Sequence, residues 1–524
     1  MTEPYDVIAV GSGINSLVLA ALLALKGRRV LILERETTPG GCMKTEEITV
    51  PGFRHDVFAM SVPGFVTAPH YPALAGALAA QGVRLLTAEH PTAVLTPAGR
   101  ALVLSRSRAD NIAAFEGCAA GDGLAFARAV DTVADVAGVV GAMLNNPPRS
   151  PRVLMALASL FRRGGAPALD AAAHEATEPL RVWLERDFAS DLPPALIAPW
   201  ILHAGMDPDA PTTAAMARLF MALLEQVGAP IVEGGIAALA AGLIRIVEAH
   251  GGALRCGEDV TRVVTRGRVV LGVEIASGTS YRARRAVACD VTPQQLYGRL
   301  LCDAAVPDSV RRRADRFSYG RGDMQIHIAL SEPPRWRAQA LGGVALTHIT
   351  AGVNGVARAV TEARAGLLPA EGTIVVGQPA ATDPTRCPPG CSLLWIQLQE
   401  VPARPTGDAL GIIPVDSATG WTEQLKAAYA KRIVARLADA IPNLHEATLG
   451  MAVLSPADLE ARNVNLVGGD PYSGDCALHQ FHLLRSGAGG PRTALRNLYH
   501  IGASTHPGPS LAGMSGNMAA GLIG

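Results

Sequence analysis

The feature that most constrains this chain lies in its first thirty-five residues. Tyr5-Asp6-Val7-Ile8-Ala9-Val10 runs into Gly11-Ser12-Gly13-Ile14-Asn15-Ser16, then an apolar helical stretch, then Val30-Leu31-Ile32-Leu33-Glu34. Alternating Val and Ile before a glycine turn read as a buried strand. Gly27 reads as a helix stop before Arg28 and Arg29, and an acid closes the second strand, so the segment is one βαβ unit. Gly11 permits the tight turn, and Gly13 lets backbone N–H groups approach an anion. The helix that starts there, with Ile14 and Asn15 in its first turn, directs its partial positive end at that anion. Glu34 is placed to accept hydrogen bonds from ribose hydroxyls. Ser16 stands where the Gly-x-Gly-x-x-Gly fingerprint has Gly or Ala, and it is small enough for close helix–strand packing. The unit predicts an α/β domain that grips an adenine dinucleotide.

Size and composition set the limits around that unit. At 524 residues the chain exceeds one simple core and predicts two or more domains. Its 46 basic and 46 acidic side chains balance, which argues against nucleic acid as a partner. Hydrophobic residues make up 49% but aromatics only 4%, which gives no sign of an aromatic cage for amines and weakens an amine-oxidase assignment. A mean hydropathy of +0.23 points to an apolar substrate or to membrane contact. No stretch approaches the roughly 18 apolar residues of a spanning helix, and the strand at Tyr5 leaves no room for a signal peptide. Eight scattered cysteines suit a reducing cytoplasm, where the protein is expected. Cys387-Pro388-Pro389-Gly390-Cys391 lacks a second ligand pair nearby; it reads as a loop with two thiols, and no metal is expected.

Further along, Pro39-Gly40-Gly41-Cys42 places a double glycine just beyond the ribose-binding acid, again allowing backbone to approach a ligand. Residues 83–105 read as turn-rich β structure and 108–228 as helices. Val232-Glu233-Gly234-Gly235 opens a helix that ends at His250, and a three-stranded meander follows over 260–287. The segment 152–163, apolar with arginines at its ends, fits a helix lying on a bilayer surface or one packed on the substrate domain.

The C-terminal run narrows the reading. Asn497-Leu498-Tyr499-His500-Ile501-Gly502-Ala503-Ser504-Thr505-His506-Pro507-Gly508 is followed by Ala512-Gly513-Met514-Ser515-Gly516-Asn517. With the N-terminal fingerprint, Gly468-Gly469-Asp470, and Gln480 with Arg485, it resembles the phytoene desaturase-like flavoproteins, which include carotenoid desaturases and ketolases. Cys42, where desaturases often carry Arg, favours the ketolase-like, poorly characterised branch. Pro507-Gly508-Pro509-Ser510-Leu511 departs from the triple-glycine loop of many relatives, and the chain stops at Gly524 without the C-terminal extension of some. The resemblance implies a Rossmann-like FAD domain of the glutathione reductase and amine oxidase type, with a mixed α+β substrate domain interleaved. The FAD-binding parts would be 1–107, 228–295 and 466–524, with a largely helical, membrane- or substrate-facing part at 108–227 and a substrate domain at 296–465.

The same resemblance implies that Arg35, Gly40, Gly41 and Cys42 lie along the FAD. Val260 would present its backbone to the adenine, Gly502 and Ala503 would sit by the ribityl phosphate, and Gly513 and Met514 beside the flavin ring. A helix N-terminus there would stabilise the charge of a reduced flavin. The implied chemistry is hydride removal from a lipophilic, polyene- or isoprenoid-like substrate by a desaturase, dehydrogenase or oxidase. A ketolase or isomerase of the same family, and a flavin-binding sensing or interaction protein without turnover, remain alternatives. A second Gly-x-Gly-x-x-Gly is absent, so oxygen or a quinone is the expected electron acceptor. His506 is the first candidate catalytic residue and His55 the second. Gln325, His327 and Gln397 read either as cavity lining or as a satisfied polar group inside a sheet.

Overall fold

The computed structural model describes residues 5–480, 485 and 489–524. The strands Tyr5–Val10 and Val30–Leu33 pair in parallel, with Val7 opposite Val30 and Val10 opposite Leu33. Ser280–Asp290 lies parallel on the other side of Tyr5–Val10, with Leu498–Ile501 beyond it, and Ala253–Arg255 extends the sheet past Val30–Leu33. Strands in such a sheet are buried on both faces and need cover on each. Because successive side chains alternate, Val7 and Ala9 join the helices Ile14–Ala24, Ala237–Ala249 and Met514–Ile523 on one face. Ile8 and Val10 pack on the other face against the meander Val260–Arg266, Val269–Ile275 and the start of Ser280–Asp290. This is the α/β, Rossmann-like architecture that residues 5–34 predicted, with a mixed α+β unit interleaved.

The second sheet runs in the order Thr448–Leu454, Gly322–Leu330, Ser392–Val401, Ile374–Gly377, Leu346–Ile349, Thr92–Leu95, Ala101–Leu104. Alternation again divides its two faces. Met324, Ile326, Ile328, Leu394, Ile396 and Leu398 pack with Tyr429, Ile433 and Leu437 of the helix Glu423–Ala440. The intervening Asp323, Gln325, His327, Trp395, Gln397 and Gln399 therefore point the opposite way. Helices within 108–227, among them Asp122–Asn145 and Thr213–Val227, share a core with that side of the sheet through Phe126, Trp183, Met221 and Trp395. The helix Pro151–Thr177 is interrupted at Gly165, whose backbone is non-helical two residues before Pro167.

A buried ionic knot ties the two sheets together. Arg386 is fully buried and donates to Asp56 at 2.5 Å, to Asp383 at 3.0 Å and to the Arg54 carbonyl at 3.1 Å. Asp383 also accepts from the Gly234 N–H, and Asp56 from the Ile236 N–H and the Thr45 hydroxyl. One guanidinium thereby joins the segment after the double glycine, the Val232-Glu233-Gly234-Gly235 turn and the second-sheet unit. Removing it strands two buried carboxylates, so Arg386→Met is expected to destabilise the protein by about 3–5 kcal/mol in chemical denaturation. Arg84→Ala, at the exposed pair with Glu233, is expected to change it by less than about 1 kcal/mol.

Candidate functional site

The carboxyl ends of the parallel strands converge on a cradle built from backbone. Gly11 takes a positive φ of 91° at the turn, and Gly13 caps the helix Ile14–Ala24. A Cβ on Gly13 would lie 2.8 Å from an Asp290 carboxylate oxygen, one on Gly41 3.0 Å from the Gly13 Cα, and one on Gly502 2.5 Å from Asp290. Three distant segments thus meet where side chains are sterically excluded. Close backbone approach at a helix N-terminus is the geometry that a pyrophosphate requires. Glu34, buried at the strand tip, accepts from the Ser12 N–H at 2.9 Å and the Ser12 hydroxyl at 2.5 Å, and from the Glu36 N–H at 3.0 Å. These contacts hold its carboxylate beside the turn, where a ribose diol can reach it. The residues present fit the adenosine and pyrophosphate parts of FAD.

A continuous cavity of about 600 Å³ includes this cradle, within the range of small-molecule and cofactor sites. Gly11, Gly13, Ile14, Asn15, Glu34, Arg35, Gly41, Cys42, Val260, Gly502, Ala503 and Met514 line it. Ser16, Gly40 and Gly513 stand behind the wall. Ser16 donates its N–H to Asp290, Gly40 donates to the Ser12 hydroxyl, and Gly513 allows the last helix to approach Val18. Helix-to-helix contact is closest at Gly516, where a Cβ would fall 2.0 Å from the Asn15 carbonyl oxygen. Ser515 bridges the two helices, accepting from the Gly502 N–H and donating to the Asn15 side chain. Burial pushes the Cys42 thiol up to about 11, with the Asn463 amide opposing, so it is neutral at ordinary pH. The Val260 carbonyl accepts from Arg299, which also grips Asp259 through two bonds of 3.0 Å.

The two candidate histidines lie outside the cavity lining. The His506 ring nitrogen reaches the carbonyls of Met143 and Asn146 at 3.0 Å, fastening its loop to the end of the helix Asp122–Asn145. His55 is buried against the His327 ring, 5.3 Å between centroids, and its other contact is the Thr49 hydroxyl at 2.8 Å. Burial first, and the Arg386 charge second, lower His55 to about 4. Burial chiefly, with His55 next, lowers His327 to about 3. Gln480 and Arg485 are also structural. Gln480 ties to both backbone groups of Ser318, and Arg485 donates to the carbonyls of Ala503 and Tyr472.

Sequence reasoning passed over several cavity residues. Gln325 and Gln397 do line the cavity, but with Asp323, Gln399 and Tyr472 beside them. His203 lines it as well, stacked on Trp200 and bonded to His348 at 3.0 Å; burial lowers His203 to about 4. The low aromatic content was a poor guide. Phe58, Trp200, Phe220, Trp395 and Tyr472 all reach this cavity, because a composition averages over the chain and a fold does not.

Comparison with known proteins agrees with this architecture. A family model described as an NAD(P)-binding Rossmann-like domain matches residues 10–78. The rat pyridine nucleotide-disulfide oxidoreductase domain-containing protein 2 is 26% identical, over 99% of this chain and 93% of that protein. A lycopene-forming phytoene desaturase from a Paracoccus species is 28% identical, over 59% of this chain and 57% of its own length. Among solved structures, a putrescine oxidase triple mutant superposes with a TM-score of 0.62 at 16% identity, covering 99% of this chain and 98% of its own, a likeness of fold alone. These matches make the chain similar to the broad superfamily of flavin-type oxidoreductases. The relatives do not single out the ketolase-like branch that Cys42 suggested.

Asp290 was the least foreseeable part of the cradle. Its carboxyl sits at the helix N-terminus, bonded to the Ser16 N–H at 3.2 Å. Burial raises it to about 6, the Ser16 contacts oppose the shift, and the Glu34 charge adds to it. An unfolded Asp ionises near about 3.9. The folded state therefore holds the extra proton, and the associated stability is present below pH 4 and lost as pH rises through about 6. Asp290→Asn removes this dependence. The melting temperature of the variant minus that of the parent is expected to grow between about pH 4 and pH 6 and then level off.

Proposed function

We propose that this protein is an FAD-dependent oxidoreductase that removes hydride from a lipophilic molecule, in a desaturase, dehydrogenase or oxidase reaction. The observation that carries this reading is continuity: the backbone cradle and an apolar chamber walled by Trp200, Met216, Leu219, Phe220 and Leu223 belong to one cavity. FAD, when bound, supplies a two-electron acceptor for hydride. Gly11, Gly13, Gly41 and Gly502 would hold its pyrophosphate by backbone, and Glu34 its ribose. The helix Met514–Ile523, whose first residue lines the cavity, would direct its N-terminal dipole at the anionic edge of a reduced ring. The apolar walls exclude water from the substrate. His506 acts as a positioning residue that holds the loop before this helix. Oxygen or a quinone serves as electron acceptor.

A purified sample should be yellow, and a lipophilic substrate added without oxygen should bleach the visible flavin band, with the product identified by mass spectrometry. Gly13→Val is expected to lower the FAD-to-protein ratio at least about tenfold while the circular dichroism spectrum persists. A colourless protein that takes up no added FAD would overturn the reading.

A lipophilic substrate also favours work at a bilayer surface. The helix Pro151–Thr177 exposes Leu154, Met155 and Phe161 at 59%, 61% and 50%, beside the exposed Arg152, Arg162 and Arg163. None of the described helices is long and apolar enough to cross a membrane. The arrangement suits shallow insertion into an anionic surface. The protein is expected to co-sediment with phosphatidylglycerol vesicles, and the double variant Leu154→Glu, Phe161→Glu to lose about half of that binding or more.

A further inference from the structure

The second sheet presents a polar patch to the cavity, built by alternation on two paired strands. Asp323 and Gln325 lie two apart on Gly322–Leu330; Gln397 and Gln399 lie two apart on Ser392–Val401; and Gln325 is directly opposite Gln397. Cross-strand neighbours stand about 5 Å apart, so the four side chains form a compact cluster. All four line the cavity, and each is at least nine-tenths buried.

The hydrogen bonds within this cluster use up donors and leave acceptors. Gln325 and Gln397 donate to the same oxygen of Asp323, at 2.9 and 2.8 Å. Gln399 donates to the Tyr472 hydroxyl at 2.9 Å, and that hydroxyl in turn donates to the Leu202 carbonyl. The second oxygen of Asp323 and the amide oxygens of Gln325 and Gln399 have no partner among the described residues. Asp323 has no ion pair among them either, which is costly for a buried carboxylate. Burial accordingly pushes its carboxyl up to about 8, Glu400 adding to the shift and the amides of Gln397 and Gln325 and the Met324 N–H opposing it. What is missing is a partner that donates several hydrogens and carries positive charge.

We infer that this patch is the head-group site of the substrate chamber and takes an ammonium nitrogen borne on an apolar body. The inference deepens the proposed function, resting on its reading of the cavity as the substrate chamber. An ammonium offers two or three N–H donors to three waiting oxygens, and its charge stabilises the ionised form of Asp323, which gives up its proton to solvent on binding. A hydroxyl offers one donor and no charge, and a carboxylate offers no donor to these oxygens and opposes the ionisation of Asp323. Trp200, Phe220 and Trp395, which line the same cavity, suit a cation with an apolar tail.

Matched eight-carbon probes test this on the purified protein: octylammonium, octanol and octanoate. Binding is read both from the flavin band and from the fluorescence of Trp200 and Trp395. Octylammonium is expected to bind at least about tenfold tighter than either of the others. Asp323→Asn is expected to weaken it by about tenfold or more without changing octanol binding or FAD content, and Gln325→Leu to weaken it several-fold if the first variant does not fold. Equal affinity for octanol or octanoate, or octylammonium binding unchanged by the variants, would overturn the inference. A yellow protein without the preference defeats this inference alone. A protein that holds no FAD yet keeps the preference supports it and defeats the flavin reading.

Discussion

The structure depends on how closely three stretches of backbone meet around Gly13. Asp290 ends one strand, Gly41 follows another, and Gly502 follows a third; a Cβ on Gly41 would collide with the Gly13 backbone, and one on Gly13 or Gly502 with the Asp290 carboxylate. A helix N-terminus can bind an anion strongly only where N–H groups face it without intervening side chains. The glycines supply that condition, and the parallel sheet supplies the common edge at which they assemble. The Gly516 contact with Asn15 carries the same logic to the end of the chain, seating the last helix on the first at backbone distance.

The cavity grown from that edge presents two kinds of surface. At the cradle, backbone dipoles and one acid at a strand tip would meet the proposed dinucleotide. At the second sheet, side chains project into the cavity from a rigid ladder, where Asp323 and its flanking amides are held in register by strand pairing. The Arg386 knot fixes one half against the other by bonding the segment after the double glycine to the second-sheet unit. Buried charge recurs with different outcomes. Asp56 and Asp383 share the Arg386 guanidinium, whereas Asp290 and Asp323 lack an ion-pair partner among the described residues and burial raises them to about 6 and about 8.

The histidines show why residue type alone misdirects. His506 sits in the most distinctive motif of the C-terminal run, yet its ring is turned onto the carbonyls of Met143 and Asn146, some 360 residues earlier in the chain. His55 is consumed by a buried stack with His327. Burial lowers His55 to about 4, and both rings lie outside the cavity lining. The direction in which a ring points is a packing outcome, and nothing in the local sequence encodes it.

What the sequence determined by itself was the glycine turn at the head of the first helix and the α/β class. Gly11, Gly13 and Glu34 act within a single βαβ unit, where turn geometry, strand alternation and helix polarity are local properties. The tertiary structure alone decided which distant groups complete the site. Asp290 reaches the first helix across 274 residues, and Gln397 reaches Asp323 across 74. The aromatic wall likewise forms only when helices from the middle of the chain close over the second sheet. Such contacts depend on strand order and register, which emerge from the packing of the whole core and not from any short stretch of residues.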